Sequence, residues 1–368
     1  SPRRPMARRH GLVPLSTNSP LYAGLGAREM GVLGRFAPRQ DIYSIDECFL
    51  DLTGLERFDP TAYGRAMRRR VQRWLGLPVG VGIGSTKTLA KLANHLAKRQ
   101  PEWAGVCDFG AVDATGQDRY LAGLDTDAVW GIGPRWAARL RALGIATTRD
   151  LRDADSQVVR RHFGVVMERI VWELRGVACL TLEEIAPPKQ QIVASRSFGR
   201  PVTALAELQA AVAHHVARAT AKLRRQHGQA QALQVFLRPH RDGAASAPPA
   251  ITGLLRLAAP SADPAVLTQA AVQGVAALYQ PGRRYRGAGV MLLELGSAAR
   301  AQEDWLAPDA ADRAAARRAV LDQVDARWGR GTLRLAREGF QQPWAMRQDH
   351  RSPAYTTRWA DLPVVRAG

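Results

Sequence analysis

The sequence has little acid for its length. Its 368 residues contain 33 Asp and Glu against 52 Lys and Arg, which gives a formal net charge of +19. The basic excess is mostly arginine, whose planar guanidinium suits bidentate contact with phosphate. Nucleic acid is therefore the predicted partner, with an acidic protein or an anionic membrane surface as the alternatives.

Cysteine and long apolar runs are also scarce. The three cysteines, Cys48, Cys107 and Cys179, are widely separated and form no CxxC pair, which argues against a disulfide framework or a zinc knuckle. No stretch approaches the run of about 18 apolar residues that a membrane-spanning helix needs. The first ten residues, SPRRPMARRH, have no apolar segment typical of a secretory signal. We therefore expect a globular protein of two or three domains in a reducing, cytoplasmic compartment.

Residues 43–54, YSIDECFLDLTG, place two adjacent carboxylates in a run that alternates like a β-strand. The alternation puts Asp46 or Glu47 on a buried face, where an unpaired carboxylate is costly. One interpretation is a site at which hard oxygen ligands hold a divalent cation. The alternative is a strand end at which both acids meet water.

The pattern over the first 110 residues alternates between strands and helices. A helix is predicted over 21–36, a strand in the YSIDECFLDLTG run, a basic helix over 61–75, a glycine-rich strand over 78–85, a helix over 86–100 and a short strand over 103–109. Thr86 or Ser85 can cap the 86–100 helix, and Leu89, Leu92, Ala93 and Leu96 give it one apolar stripe. This order favours an α/β or α+β sheet domain.

Residues 119–176 are predicted to be helical throughout. Within them, DAVWGIGPRWAARLRALGI has the pattern of a helix-hairpin-helix module, whose free helix amides hold a phosphate without reading base sequence. The alternative is an ordinary helical turn with glycine as its C-cap.

The segment 183–190 is a predicted linker, because Pro187 and Pro188 cannot continue a helix. Beyond it, four strand-like runs and two helical runs predict a small sheet domain. The domain is rich in arginine: Arg196, Arg224, Arg225, Arg238, Arg283, Arg284 and Arg286. From about residue 297 the chain is rich in alanine and polar residues, and we expect it to be irregular.

Taken in order, these motifs resemble the Y-family translesion DNA polymerases of the UmuC type. The residues that carry the resemblance are YSIDECFLDLTG, VGVGIGSTKTLAKLANHLAK, DAVWGIG, HFGVVMERIVWELRG, ASRSFG, YRGAGVML, GRGTL and SPAYTTRWADLP. The resemblance extends from about residue 12 to the C-terminus, and the spacing from SIDE to TKTLAKLANHLAK is its most specific feature. It implies an α+β multidomain architecture: a remnant of fingers and palm over 1–38, a palm over 39–118, a helical thumb over 119–182, a little finger over 189–296 and a UmuC-type tail over 297–368.

The resemblance also implies a chemistry. Asp46 and Glu47 would be catalytic metal ligands that hold Mg²⁺ for nucleotidyl transfer, and Lys98 would face the nucleotide triphosphate. Lys87 and Lys91 lie on the same predicted helix, where surface charges are the alternative interpretation, and we favour that interpretation for Lys91. The implied DNA contacts are Gly131 and Gly133 in the thumb, and Ser195, Arg196, Ser197 and Phe198 in the little finger.

The implied partners are damaged template-primer DNA, deoxynucleoside triphosphates, an accessory subunit of the UmuD type, RecA and the sliding clamp. Gln302, Trp305 and Leu306 give a Gln-x-x-apolar-apolar pattern that resembles a clamp-binding peptide. A chance match in a tail is the alternative.

One family feature is absent. Family members begin with a strand of the type DVNAFYASCE, whose Asp is a third metal ligand and whose aromatic residue screens out ribonucleotides. No such strand precedes GLVPLSTNSPLY, and the earliest acid of the chain is Glu29. The resemblance therefore implies error-prone translesion DNA synthesis for the family but little activity for this chain as written. The alternative is a non-catalytic DNA-binding platform derived from a polymerase.

Overall fold

The structure is a computed structural model that describes residues 9, 11–182, 188–241, 248–297, 308–329, 331–356 and 358–365. The chain divides into two compact units. The first comprises Ser1–Ala186 and Arg351–Gly368, and the second comprises Pro187–His350. Helices and strands occur in both, as the α+β prediction requires.

The first unit contains four short strands and eight helices in its described part. In chain order they are α1 (Ser19–Leu33), β1 (Arg39–Ile42), β2 (Cys48–Asp51), α2 (Pro60–Leu75), β3 (Val81–Ile83), α3 (Lys87–Arg99), β4 (Val106–Asp108), α4 (Ala114–Ala122), α5 (Pro134–Ala142), α6 (Thr148–Asp153), α7 (Ser156–Phe163) and α8 (Val165–Leu174). β1 and β2 pair antiparallel, while β3 and β4 pair parallel.

The helix α3 follows the sequence prediction closely. The Thr86 side chain caps it by accepting a hydrogen bond from the Leu89 amide, at 3.2 Å. Its apolar stripe of Leu89, Leu92, Ala93 and Leu96 is buried. That stripe shares one hydrophobic core with Leu140 and other residues of the helical segment 114–174. Because α3 carries both a buried stripe and several lysines, it fixes where those lysines lie.

The C-terminal motif SPAYTTRWADLP packs on the start of α1 within the first unit. Asn18 is fully buried, and its side-chain oxygen accepts a hydrogen bond from the Leu21 amide at the N-terminus of α1. Its Nδ2 donates to the Ser352 and Pro353 carbonyl oxygens at 3.0 and 3.3 Å. A single amide side chain therefore caps α1 and holds the C-terminal motif in place.

The second unit is a four-stranded sheet with two helices packed on it, as the sequence predicts. Its elements are β5 (Ile192–Val202), α9 (Leu205–Arg225), β6 (Gly228–Pro239), β7 (Ile251–Ser261), α10 (Pro264–Leu278) and β8 (Tyr285–Ser297). The strand order is β5-β8-β6-β7, and every pair is antiparallel. The buried residues of α9, α10 and the four strands form one core.

The segment after β8 corrects the sequence analysis. It was expected to be irregular, but it contains the 21-residue helix α11 (Pro308–Trp328), followed by a short 3₁₀ helix, Ala336–Glu338. Alanine and arginine are strong helix formers, so α11 forms without a pronounced apolar stripe. No helix in the described ranges is long and apolar enough to cross a membrane.

Candidate catalytic and nucleic-acid-binding site

Asp46 and Glu47 lie in the turn of a β-hairpin. The pairing of β1 with β2 ends at Ile42 and Cys48, so residues 43–47 form the connection. The amides of Tyr43 and Ser44 both donate to the Glu47 carbonyl oxygen at 3.1 Å, which closes the turn. The prediction of a strand running through both acids is wrong, because Ile45 extends the apolar alternation across a turn in which its own side chain is exposed.

The two carboxylates have different partners. Asp46 is exposed and accepts a hydrogen bond from the Ser44 hydroxyl at 2.7 Å. Glu47 is half-buried, and one of its oxygens lies 2.7 Å from the Lys91 Nζ. The turn therefore presents one solvent-facing carboxylate and one that is already paired with a cation.

Lys91 is not the surface charge that the sequence favoured. Its side chain is only 18% exposed, and its ammonium lies 4.9 Å from the Tyr43 ring and 5.7 Å from the Trp130 ring. The Trp130 indole donates to the Tyr43 hydroxyl at 3.1 Å. These contacts join the hairpin turn to α3 and to the Trp-Gly-Ile-Gly turn before α5. A sequence offers no local signal for such a long-range pairing.

Lys87 occupies the neighbouring turn of the same helix. Its Nζ lies 2.5 Å from an Asp41 carboxylate oxygen and donates to the Thr181 carbonyl oxygen at 2.6 Å. It also lies 5.0 Å from the Phe49 ring. Lys87 and Lys91 both form ion pairs with the hairpin, because they are four residues apart and share one face of α3.

Glu29 lies at the candidate site, and the sequence reasoning assigned it no role there. It is 8% exposed and lies on α1, one turn beyond Gly26, where a Cβ atom would come within 1.9 Å of the Ile45 carbonyl oxygen. Burial raises the pKa of the Glu29 carboxyl, and the nearby Asp46 raises it further. The available signal was a carboxylate on the buried face of α1.

Lys98 opposes that increase, since its charge lowers the pKa of Glu29. The side chain of Lys98 is exposed and lies over Gly80, where a Cβ atom would come within 3.0 Å of its Cγ. Lys98 and Asp46 therefore act on the same buried carboxylate from different elements.

A groove of about 520 Å³ separates β2 from β3. No pairing joins these two strands within the described residues, so each leaves one edge unpaired. Asn94 lines the groove from α3, and its Oδ1 is buried without a hydrogen-bond partner in that part of the chain. Unpaired strand edges and an orphan acceptor are the features that an additional strand in the groove would satisfy.

The carboxylates near the turn are suitable ligands for Mg²⁺, but within the described residues they are too few to complete a site. Carboxylate oxygens are the ligands that Mg²⁺ prefers. No group of three or more His, Cys, Asp or Glu side chains is arranged for a metal ion within the ranges the structure describes. Asp46 and Glu47 therefore form a pair that does not complete a two-ion site.

Gly131 and Gly133 form the turn before α5. Gly131 has a φ of +89°, a conformation that glycine adopts most easily. Gly133 is the N-cap of α5, makes no side-chain cap and has open space around its Cα. This leaves the first amides of a nine-residue helix uncapped beside the exposed side chain of Arg135. The element before the turn is a 3₁₀ helix, Thr126–Ala128, rather than the full helix of the predicted pattern.

Ser195, Arg196, Ser197 and Phe198 lie together on β5, an edge strand of the second unit. Arg196 and Ser197 are exposed, and the Ser195 hydroxyl accepts a hydrogen bond from Arg238 at 2.8 Å. Burial and the nearby Arg286 lower the pKa of Arg238, so positive charge is concentrated at this end of the sheet. The Phe198 side chain packs against the core, which leaves its backbone for any DNA contact.

Arg224, one of the arginines of the second unit, forms a bidentate pair with Asp322 of α11 at 2.6 and 2.9 Å. The clamp-binding pattern of Gln302, Trp305 and Leu306 lies outside the described residues.

Comparisons with known proteins identify the family. The family model described as the impB/mucB/samB family matches residues 3–95. A second model, the impB/mucB/samB family C-terminal domain, matches residues 189–305. The chain is 44% identical to Protein UmuC of Salmonella typhimurium over 363 residues, which are 98% of this chain and 85% of the relative. The chain belongs to the impB/mucB/samB family. The resemblance to UmuC-type proteins drawn from the sequence is therefore confirmed.

Other members of the impB/mucB/samB family are similarly close. Protein MucB of Escherichia coli is 40% identical over 98% of this chain and 86% of the relative. A domain of unknown function, DUF4113, matches residues 318–365. Among solved structures, a Y-family DNA polymerase chimera of Dbh and Dpo4 superposes with a TM-score of 0.58 at 20% identity, over 76% of this chain and 78% of that one. This likeness shows that the fold is that of the Y-family polymerases.

Proposed function

We propose that this chain serves error-prone translesion DNA synthesis, the template-directed transfer of nucleotides onto a primer opposite damaged bases, as part of DNA repair and SOS mutagenesis. The observation that supports the proposal is the pair of adjacent carboxylates at the hairpin turn, faced by the lysines of α3, in a member of this family.

The proposed domain assignment is the one that the sequence predicts. Residues 39–118 would form the palm, 119–182 the thumb, 189–296 the little finger and 297–368 the tail, with 1–38 contributing to fingers and palm. Lys98 would face the nucleotide triphosphate as a point charge. The uncapped start of α5 and the basic end of the sheet in the second unit would hold the DNA backbone without reading its sequence.

Asp46 and Glu47 would act as two ligands of a Mg²⁺ site in which a third carboxylate is needed. A strand laid in the groove between β2 and β3 would bring such a carboxylate beside the hairpin turn. The ions, when bound, would stabilise the attacking and leaving oxygens of the phosphoryl transfer. Among this chain's own residues, Lys91 orients Glu47 and Ser44 orients Asp46.

A second candidate function is a non-catalytic DNA-binding platform. The observation that favours it is that Glu47 already has Lys91 as its counter-ion, with no third metal-binding side chain in the described residues. The two candidates share DNA binding and differ only in nucleotide incorporation.

Primer extension with Mg²⁺ separates the two candidates. We expect these residues alone to show little incorporation, because two carboxylates do not complete the Mg²⁺ site and one positioned charge-stabilising group is worth about 10² to 10³-fold in rate. A variant with a family-type acidic strand grafted ahead of residue 1 should extend the primer. Asp46→Ala or Glu47→Ala in the grafted chain should abolish extension.

Two outcomes would overturn parts of this proposal. Robust extension by the ungrafted chain would show that no further ligand is needed. Full activity of the grafted Asp46→Ala variant would remove Asp46 from the metal site.

The proposed partners are DNA, deoxynucleoside triphosphates, an accessory subunit of the UmuD type, RecA and the sliding clamp. A peptide spanning residues 298–310 tests the clamp contact directly. Its binding to the clamp should depend on Trp305 and Leu306, and binding that ignores both substitutions would dismiss the pattern as a chance match.

A further inference from the structure

The edge strand β5 departs from its neighbour at the DNA-contacting segment. Its register with β8 runs regularly from Ile192 to Ser197, and the next pair is Val202 with Tyr285. Residues 198–201 therefore lie opposite the single residue Arg286. An edge strand that leaves its ladder exposes unpaired backbone groups.

The tail supplies the missing partner. The Gly199 amide donates to the Trp344 carbonyl oxygen at 3.1 Å. The three atoms nearest to a Cβ atom at Gly199 would all belong to the tail, among them the Ala345 carbonyl oxygen at 2.4 Å and the Arg347 amide at 3.3 Å. The tail backbone thus lies directly against the segment of β5 that has left β8.

The Trp344 side chain anchors this contact in the hydrophobic core of the second unit. It is 3% exposed, although it lies more than 140 residues from Phe198 of β5, which it contacts. Its ring lies 6.1 Å from the Phe198 ring and 5.9 Å from the His215 ring, centroid to centroid. Burial of a tryptophan supplies a large apolar contact, so the tail is held by more than one hydrogen bond.

Two more contacts fasten the tail along α9. The buried Glu338 carboxylate lies 3.1 Å from the His214 Nδ1 and also accepts from the Leu335 amide at 3.1 Å. Ten residues further along α9, Arg224 forms its bidentate pair with Asp322. This part of the tail therefore follows α9 and reaches β5.

We infer that residues 322–329 and 331–345 of the tail act as a clasp that positions the β5 segment Ser195–Phe198 for contact with DNA. The inference rests on the proposed function, since it assigns the tail a task in DNA binding. Without the clasp, the backbone of residues 198–201 would lose its partner, and the serine and arginine side chains just before it would no longer be held in one arrangement. This gives a role to part of the segment that matches DUF4113.

Gly199→Ala is the sharpest test because the atoms nearest to the added methyl group all belong to the tail. Its matched control is Gly296→Ala on β8 of the same sheet, where a Cβ atom would meet nothing within 4 Å. Both glycines lie in strands and neither has a positive φ, so the chemical change is the same. Trp344→Ala removes the buried ring that holds the tail on the core, and Trp344→Phe, which keeps an aromatic ring there, should largely restore parent behaviour.

The first readout is binding of a fluorescent primer-template at several salt concentrations. We expect Gly199→Ala and Trp344→Ala to lower affinity by about three- to tenfold and to reduce the slope of log K against log salt by about one, as for one lost phosphate contact. Gly296→Ala should match the parent. Gly199→Ala should add nothing in a Trp344→Ala chain, because both changes release the same contact. Parent-like affinity and slope in both single variants would overturn the clasp.

The second readout is hydrogen exchange of the β5 amides without DNA. The amide of residue 199 should exchange faster, relative to its intrinsic rate, in Gly199→Ala and Trp344→Ala but not in Gly296→Ala. If the parent binds no DNA, the proposed function fails, and this measurement still judges the clasp. Unchanged protection of that amide in both tail-releasing variants would reject it.

Discussion

The Lys91 ammonium and the Glu47 carboxylate lie 2.7 Å apart and join α3 to the hairpin turn. The aromatic rings of Tyr43 and Trp130 lie 4.9 and 5.7 Å from the ammonium, so the cation has three partners. Glu47 is consequently fixed in orientation before any ligand arrives. The same contacts tie the carboxylate turn to the Gly131–Gly133 turn proposed to hold DNA.

Lys91→Met should lower the free energy of unfolding by about 1–2 kcal/mol, the sum expected for one partly screened ion pair and two cation–π contacts. Lys91→Arg should recover most of the loss. The measurement is urea-induced unfolding followed by circular dichroism. Arg99→Met, on the exposed face of the same helix, is the control and should change stability by less than about 0.5 kcal/mol. Equal losses in Lys91→Met and Arg99→Met would contradict a structural role for the pair.

Glu29→Gln should stabilise the protein, because it removes a buried negative charge beside Asp46 while keeping the shape of the side chain. We expect the unfolding midpoint to rise by about 2–4 °C, the change that 1 kcal/mol produces in a domain of this size. The control is Glu102→Gln, an exposed acid of the same unit. A lower midpoint for Glu29→Gln would show that attraction to Lys98 outweighs burial.

The sequence predicted most of the architecture because its signals there are local. Thr86 and the stripe from Leu89 to Leu96 specify α3 without reference to any other element. The hairpin was misplaced because Ile45, an exposed apolar residue, continues the alternation through the turn. The helix α11 was missed because it depends on the helix propensity of alanine and arginine and has no apolar stripe that would reveal it in the sequence.

The contacts of the candidate site depend on residues far apart in the chain. Lys91 reaches Glu47 across 44 residues, and Trp344 reaches Gly199 across more than 140. Neither pairing leaves a periodic pattern, so the sequence could name the carboxylates but not their partners. Glu29 alone carried an unused local signal, a charge on a buried helix face.

Binding to primer-template DNA should weaken steeply as salt rises, because it rests on displaced counterions. Arg135→Met, beside the uncapped start of α5, should reduce the slope of log K against log salt by about one. Arg99→Met removes the same charge away from this turn and should leave the slope unchanged. An affinity that does not vary with salt would rule out phosphate contact by both units.

His215 should make the second unit less stable in mild acid. The residue is 1% exposed, and its pKa is lowered to about 3, first by burial and then by the charges of His214 and Arg218 on α9, Arg196 on β5 and Arg238 on β6. In the unfolded chain its pKa returns to the ordinary 6.5, so between pH 6.5 and about 3 the unfolded state binds the extra proton. Stability is then fully present above pH 6.5 and falls with decreasing pH, by up to about 1.4 kcal/mol per pH unit from this group.

His215→Leu tests this dependence, since the buried Nε2 of His215 has no hydrogen-bond partner among the described residues and little is lost by replacing it. Urea unfolding of the parent and the variant should be compared at intervals from pH 7 to pH 4.5. The difference in free energy of unfolding should move steadily in favour of His215→Leu as the pH falls below 6.5, whereas carboxylate protonation affects both chains alike. His350→Gln, an exposed histidine of the same unit, should follow the parent. Parallel curves for the parent and His215→Leu would mean that the His215 ring can accept a proton in the folded state, and therefore that water or a carboxylate reaches it beneath Trp344.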